Sequence, residues 1–367
     1  MDFIDLKAQY RKFETAINER IHRVLEHGRF IMGPEVEELE SVLAGYVGCR
    51  HAITVASGTD SLEIALRALE IGPGDEVVTV PFTWISTAEV ILQVGAKPVF
   101  VDIDPLDFNI ALEHIEAGIT PRTKALLPVS LFGQMPDYDA INAIAEKYGV
   151  TVIEDAAQSF GATRHGRKSC GVTTIASTSF YPAKPLGCYG EGGALFTNDD
   201  DLAKKMRAIR THGGIRRHFH DLVGMNGRFD TLQAAIMLGK WPGFADEVTA
   251  REKLGARYSE KLGDLCATPA IRDGNTHVYA QYTLRSPNRD ALGEMLGTKG
   301  IPSAVYYPKC LHEQPVFSHL GYQYGDFPAA EAASREVISL PLNPYLTQNE
   351  QDFVISGVRE ALGQGIG

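Results

Sequence analysis

The sequence predicts an α/β protein, with a large sheet domain over residues 1–243 and a smaller C-terminal α+β domain over residues 244–367. Three observations carry that prediction. Between about Tyr46 and Asp200, short apolar runs alternate with amphipathic stretches, the pattern of strands and helices wound into a mostly parallel sheet. A chain of 367 residues exceeds one typical core, which favours two. Pro242-Gly243 interrupts a long helical stretch and marks the boundary.

The elements follow in order. Ala52–Ala56 reads as a strand ahead of a helix from Ser61 to Leu69. Glu76–Val80 precedes a helix near Thr87–Val94, and Pro98–Asp102 follows at the spacing of a βαβ unit. The next round has a strand at Ala125–Val129, a helix over Tyr138–Tyr148 and a buried strand, Val150–Glu154, that leads into Asp155. Ala176–Phe180 and Gly193–Thr197 read as short strands flanking a glycine-rich turn, and Asp201–Arg210 as a helix. A long helix begins near Thr231 and runs through Leu238. In the smaller domain a helix spans about Val248–Leu262, with strands around Tyr279–Leu284 and Ala304–Tyr306, and Gly363–Gly367 is expected to fray.

Composition narrows the function. A hydrophobic fraction of 44% with 22% charged residues suits a compact globular protein. The net charge of −11 repels phosphate backbones, which argues against nucleic acid as a partner and requires a local basic pocket for any anion. The five cysteines are odd in number and scattered, with no CxxC pair, so they read as reduced thiols and not as a disulfide framework or zinc site. The N-terminus lacks a leader pattern, and no apolar run approaches the ~18 residues of a membrane span, so the expected setting is the cytoplasm.

Three segments carry chemistry. Ala56-Ser-Gly-Thr-Asp-Ser61 joins an apolar strand to an amphipathic helix, where free amides and the helix dipole favour a phosphate. Gly58 and Thr59 are the candidates, although such a segment also serves as an ordinary N-cap turn. Asp155 stands at the carboxyl end of a buried strand, where α/β proteins place ligands, with a helix N-cap as the plain alternative. Lys184 lies in Ser179-Phe-Tyr-Pro-Ala-Lys-Pro-Leu-Gly-Cys-Tyr-Gly-Glu-Gly-Gly193, among aromatic residues and glycines. Partial burial there lowers an amine's pKa and favours a nucleophile.

Together these segments resemble the DegT/DnrJ/EryC1/StrS family of nucleotide-sugar aminotransferases, which has the fold type I architecture of pyridoxal phosphate (PLP) enzymes. The resemblance runs from Phe3-Ile-Asp-Leu6 and Gly33-Pro-Glu-Val36 through Ala56–Asp60, Pro81-Phe-Thr-Trp84, Val152–Gly161 and Ser179–Lys184 to Asn226-Gly-Arg228 and Leu232-Gln-Ala-Ala235. It implies that Lys184 forms the internal aldimine, that Asp155 pairs with the pyridine nitrogen, and that Gln158 lies beside the ring's phenolic oxygen. Trp84 would stack on the ring, though by itself it reads equally as a core aromatic. Gly58, Thr59 and Ser179 would hold the phosphate, with Asn226 arriving from a second subunit of a homodimer. Lys184 would shuttle the proton between the donor's α-carbon and the cofactor, and glutamate would give its amine to a keto-sugar nucleotide in ping-pong fashion.

Within the family, Lys184-Pro-Leu-Gly-Cys-Tyr-Gly190 looks like the branch that aminates a UDP-linked 2-acetamido-3-oxo-glucuronic acid. Such an anionic substrate needs cations, and Arg207, Arg210, His212, Arg216, Arg217, His218 and Arg228 crowd one stretch. Arg228 is the choice among them for the carboxylate or diphosphate, and each of the others reads rather as part of a solvated loop with a helix end. Gly227, with no side chain to pack, would loosen that loop. Tyr306-Tyr-Pro308 and His312 resemble a segment near the sugar pocket, where a histidine often stands at the position of Tyr306. His218-Phe-His220 lacks companion ligands, and no metal is expected.

Rival readings are weaker on specific grounds. A related sugar dehydratase typically has a histidine at the lysine position. A non-enzymatic sensor of PLP or a sugar nucleotide would need an effector segment. A dehydrogenase would need a GxGxxG loop after its first strand, which the chain lacks. A 4-aminotransferase acting on a 4-keto-6-deoxy sugar nucleotide stays open, separated by the absence of a sugar carboxylate.

Overall fold

The computed structural model describes residues 1–214, 216 and 218–363. Arg217 and residues 364–367 of the expected frayed end lie outside them. The chain opens with α1 (Leu6–His27) and α2 (Pro34–Val47), then β1 (His51–Val55), α3 (Gly58–Ala68), β2 (Glu76–Thr79), α4 (Ser86–Gln93), β3 (Lys97–Phe100) and α5 (Leu112–Gly118). It continues through β4 (Thr123–Leu126), α6 (Tyr138–Tyr148), β5 (Thr151–Asp155), a short ribbon of β6 (Thr163–Arg164) and β7 (Arg167–Lys168), then β8 (Ile175–Ser179), β9 (Gly193–Thr197) and α7 (Asp200–Arg210). The last part comprises α8 (Thr231–Lys240), α9 (Phe244–Leu262), β10 (Tyr282–Arg285), α10 (Arg289–Thr298), α11 (Pro328–Glu336), β11 (Val337–Leu340) and α12 (Gln348–Gly363).

Seven strands form one sheet in the order β1-β9-β8-β5-β4-β2-β3. Strands β8, β5, β4, β2 and β3 pair in parallel, and β9 runs antiparallel between β1 and β8. Adjacent residues of one strand enter opposite cores, as the two-residue period of a strand requires. Val78 and Val152 join Phe100, Leu126 and Ile141 on one face, while Val77 and Ile153 join Ile64, Leu195 and Met206 on the other. A separate core of Tyr258, Leu262, Leu284, Leu292, Ile338 and Val354 surrounds the β10–β11 pair. Phe317, Phe327 and Ala330 leave that part of the chain and pack with Phe100 against the large sheet. No helix among the described residues is long and apolar enough to cross a membrane.

The deviations from expectation have local causes. Helix α9 starts at Phe244 because Trp241–Gly243 forms a 3-10 turn with proline in its first positions, where the missing N–H is harmless. The strand expected from Tyr279 begins only at Tyr282: Tyr279 takes φ 46°, and its N–H donates to His277 Nδ1 at 2.9 Å. Around Ala304 there is a single bridge to Ser339 in place of a strand. Helix α1, absent from the sequence reading, buries only Gln9, Ile17 and Val24, too few to print an apolar stripe. It lies along α8 at Gly239, where an added Cβ would fall 2.9 Å from the Ile17 Cα.

Candidate active site

The carboxyl ends of β1, β2, β5 and β8 share one edge of the sheet, and the candidate residues gather there. Asp155 ends β5, the strand between β4 and β8. It is buried, with Oδ2 accepting from Thr87 Oγ1 at 2.8 Å and Oδ1 from the Ala157 N–H at 3.1 Å. Burial pushes its carboxyl above the ordinary range, opposed by Thr87, the Ala157 amide and the positive Lys184. No helix follows Asp155, so it is not an N-cap.

Lys184 sits in the turn between β8 and β9. Its backbone N–H donates to the Tyr181 carbonyl at 2.9 Å, and the Cys188 N–H to that of Phe180 at 2.7 Å. Gly187 is required here, because a Cβ would stand 2.6 Å from the Pro182 carbonyl oxygen. The residue keeps some exposure, yet its amine is surrounded by protein and has no hydrogen-bond partner among the described residues. Burial holds the ammonium below the usual lysine range, with the Asp155 charge acting the other way.

Gly58 opens α3, and the N-cap Ser57 accepts the Asp60 N–H at 3.0 Å. A Cβ on Gly58 would come within 2.7 Å of the Ser179 Cβ, so only glycine lets the end of β8 approach this helix N-terminus. Thr59 Oγ1 lies 2.8 Å from Ser86 Oγ at the start of α4. The N-terminus of α3, with Thr59 and Ser179 beside it, is thus a place suited to a phosphate.

Trp84 is 59% exposed, which rules out a core role, and its ring centre lies 6.1 Å from that of Tyr307. Gln158 is fixed at both ends. Its Oε1 accepts the Phe132 N–H at 2.6 Å, and its Nε2 donates to the Tyr307 hydroxyl at 3.1 Å. Asn226 is exposed and Arg228 half-buried, and Arg228 Nε donates to Asn226 Oδ1 at 2.9 Å. Gly227 does not loosen this loop. It is buried, its N–H donates to the Arg210 carbonyl and its own carbonyl accepts the Ala56 N–H, both at 3.0 Å.

Other expectations need correction. Arg207 and Arg210 are spent on Glu40, at 2.6 and 2.7 Å, and lock α7 to α2 and β1. Arg216 covers the Phe219 ring, and His220 Nδ1 contacts the His212 carbonyl at 2.8 Å. No metal-binding cluster occurs among the described residues. Tyr306 leans on Phe3, and the tyrosine that reaches Gln158 is its neighbour Tyr307. His312 is buried, 3.2 Å from Glu331 and edge-on to Phe327, so its ring belongs to the packing around α11 and not to a substrate pocket. Sequence reasoning also missed Ser86 and Thr87, which lie just past the segment Pro81-Phe-Thr-Trp84.

Comparison with known proteins shows the family. A model of the DegT/DnrJ/EryC1/StrS aminotransferase family matches residues 12–359. The chain belongs to that family. An aminotransferase of Pseudomonas aeruginosa, named for UDP-2-acetamido-2-deoxy-3-oxo-D-glucuronate, is 52% identical over 347 residues, spanning 94% of this chain and 96% of that protein. A DegT DnrJ EryC1 StrS aminotransferase from Brucella abortus superposes with a TM-score of 0.96 at 44% identity, over 99% of this chain and all of that one. NtdA from Bacillus subtilis, solved with bound cofactor PMP, superposes with a TM-score of 0.90 at 32% identity, over 99% of this chain and 83% of that one. The chain is therefore an enzyme, an aminotransferase with the mostly parallel α/β fold of those structures.

Proposed function

We propose that this enzyme moves an amino group from L-glutamate to UDP-2-acetamido-3-oxo-glucuronic acid, with pyridoxal phosphate as its cofactor and Lys184 as the reactive amine. The observation that carries the reading is a lysine amine with no hydrogen-bond partner among the described residues, close enough to the buried Asp155 at the sheet's carboxyl edge for each charge to act on the other. The similarity to the Pseudomonas aeruginosa aminotransferase supports the choice of sugar nucleotide.

The residues present fit the cofactor. Asp155 offers a carboxylate for the pyridine nitrogen, and Gly58, lacking a Cβ, lets Ser179 come up beside Gly58 and Thr59 at the N-terminus of α3. Trp84 offers an exposed ring for stacking, and Gln158 an amide fixed by Phe132 and Tyr307. When bound, pyridoxal phosphate supplies an electron sink for charge at the donor's α-carbon. The desolvated Lys184 amine would be the base that holds and passes on the proton of the donor's α-carbon. Asp155, oriented by Thr87 and the Ala157 amide, would offer its carboxylate to the pyridine nitrogen. Arg228 and Asn226 act on a neighbouring subunit's site, Arg228 at the sugar carboxylate or diphosphate and Asn226 at the cofactor phosphate. The working unit is a homodimer, placed in the cytoplasm.

The test is spectroscopic and then chemical. The full chain supplied with pyridoxal phosphate gains a visible band that L-glutamate bleaches and the UDP-3-keto-glucuronate substrate restores. Restoration by a 4-keto-6-deoxy sugar nucleotide instead would assign the enzyme to 4-amination. Absence of any band in the loaded wild type would sink the proposal.

A further inference from the structure

The turn that carries Lys184 is gripped from behind by a second lysine. Lys240, the last residue of α8, is buried, and its ammonium donates to the Gly187 carbonyl and, at 3.2 Å, to Gln9 Oε1. The same ammonium lies 4.4 Å from the centre of the Tyr189 ring. Gly187 lies against the Tyr181 and Pro182 carbonyls, whose oxygens an added Cβ would meet at 2.7 and 2.6 Å. The Tyr181 carbonyl in turn accepts the Lys184 N–H at 2.9 Å. Contact at Gly187 therefore reaches the Lys184 backbone through one intervening group.

The grip is anchored elsewhere in the chain. Gln9 Nε2 donates to Glu247 of α9 at 3.1 Å, and Glu247 also accepts the Tyr345 hydroxyl ahead of α12. Burying an ammonium costs desolvation that an apolar side chain of similar length avoids, so what the ammonium adds is a directed donor. Burial pushes its amine down to about 8, with Glu247 and Cys188 opposing.

We propose that Lys240 is a positioning residue for amine transfer: it holds the Phe180–Gly193 turn so that the Lys184 amine stays set against Asp155, and Gln9, Glu247 and Tyr345 tie that setting to the smaller core. The proposal rests on Lys184 being the reactive amine. A lysine that merely stabilised the fold would change the melting temperature and nothing at the turn.

The test compares full-length wild type with Lys240→Met. Three quantities are read: amide hydrogen exchange of residues 180–193 without cofactor, the pH midpoint of the absorbance change after loading with pyridoxal phosphate, and steady-state kinetics. The expected result is faster exchange in the turn, a displaced midpoint, and kcat lowered roughly 10- to 100-fold with the KM for glutamate changed less than about twofold. A folded variant with wild-type exchange and midpoint overturns the proposal, whatever its melting temperature. Should Lys240→Met fail to fold, Gln9→Ala removes the ammonium's second acceptor and is read by the same three quantities with the same criteria. A wild type that shows no absorbance band overturns the proposed function instead, and exchange of the cofactor-free turn then judges Lys240 alone.

Discussion

Asp155 and Lys184 hold each other in check through charge. Burial disfavours the charged form of both, and each charge opposes that effect in the other. Removing the amine takes away the proposed proton carrier, so Lys184→Ala is expected to lower turnover by ~10²- to 10⁴-fold while leaving the fold intact. Kinetics on the purified variant, with circular dichroism as the control, check this. The two tyrosines give a sharper residue-level contrast. Tyr307→Phe removes the acceptor that fixes Gln158, whereas Tyr306→Phe removes a hydroxyl with no partner at the site. Tyr307→Phe is therefore expected to weaken pyridoxal phosphate binding several-fold more than Tyr306→Phe in a fluorescence titration, and equal effects would contradict the assignment. Nothing in the local sequence Tyr306-Tyr-Pro308 distinguishes the two, because the distinction lies in a contact with Gln158 that only the folded chain makes.

At the scale of elements, the sheet is supported by two buried acids that perform no chemistry. Glu40 of α2 accepts from Arg207, Arg210 and the Thr54 N–H, joining three elements. Glu40→Gln leaves Arg210 buried without its counter-charge and is expected to cost about 3–5 kcal/mol, read as a lowered denaturation midpoint. Glu154 points away from the site, where Ser130, Ser169 and the Cys170 N–H hold it. Its carboxyl is pushed up to about 6 by burial, from an ordinary 4.5. Between those values the native state keeps a proton that the unfolded chain has lost, so this group's contribution is full below the lower value and falls as pH rises to the upper one. The loss is on the order of 2 kcal/mol, and Glu154→Gln should flatten that part of a stability–pH curve. Sequence alone revealed the strands and missed these locks for one physical reason. A strand buried on both faces prints a local run such as Val77-Val78 or Val152-Ile153, while Glu40 meets Arg210 from 170 residues away in the chain. The arginine cluster was visible as charge, but its use in the fold and not at the substrate was not.

Over the whole molecule, the pair Asn226–Arg228 bears on assembly. Its loop is pinned to Arg210 and to Ala56, beside the Ser57–Thr59 turn, and among the described residues the two side chains, exposed and half-buried, hydrogen-bond to each other. A closed dimer with two-fold symmetry would place such a pair in the partner's site twice over. That arrangement makes a prediction that a monomeric site cannot share. Lys184→Ala and Arg228→Ala are each expected to be inactive alone. Mixed, unfolded and refolded together in equal amounts, random pairing makes about half the dimers hybrid, each with one intact site, so activity should return to about a quarter of wild type. If Arg228 serves the Lys184 of its own chain, every site in the mixture carries one defect or the other, or is lost with its chain's intact partner residue unused, and recovery should come only from chains that carry neither substitution, of which there are none. Activity measured after co-refolding therefore separates a shared site from a self-contained one, and an inactive mixture with dimers confirmed by light scattering would place Arg228 outside the partner's site.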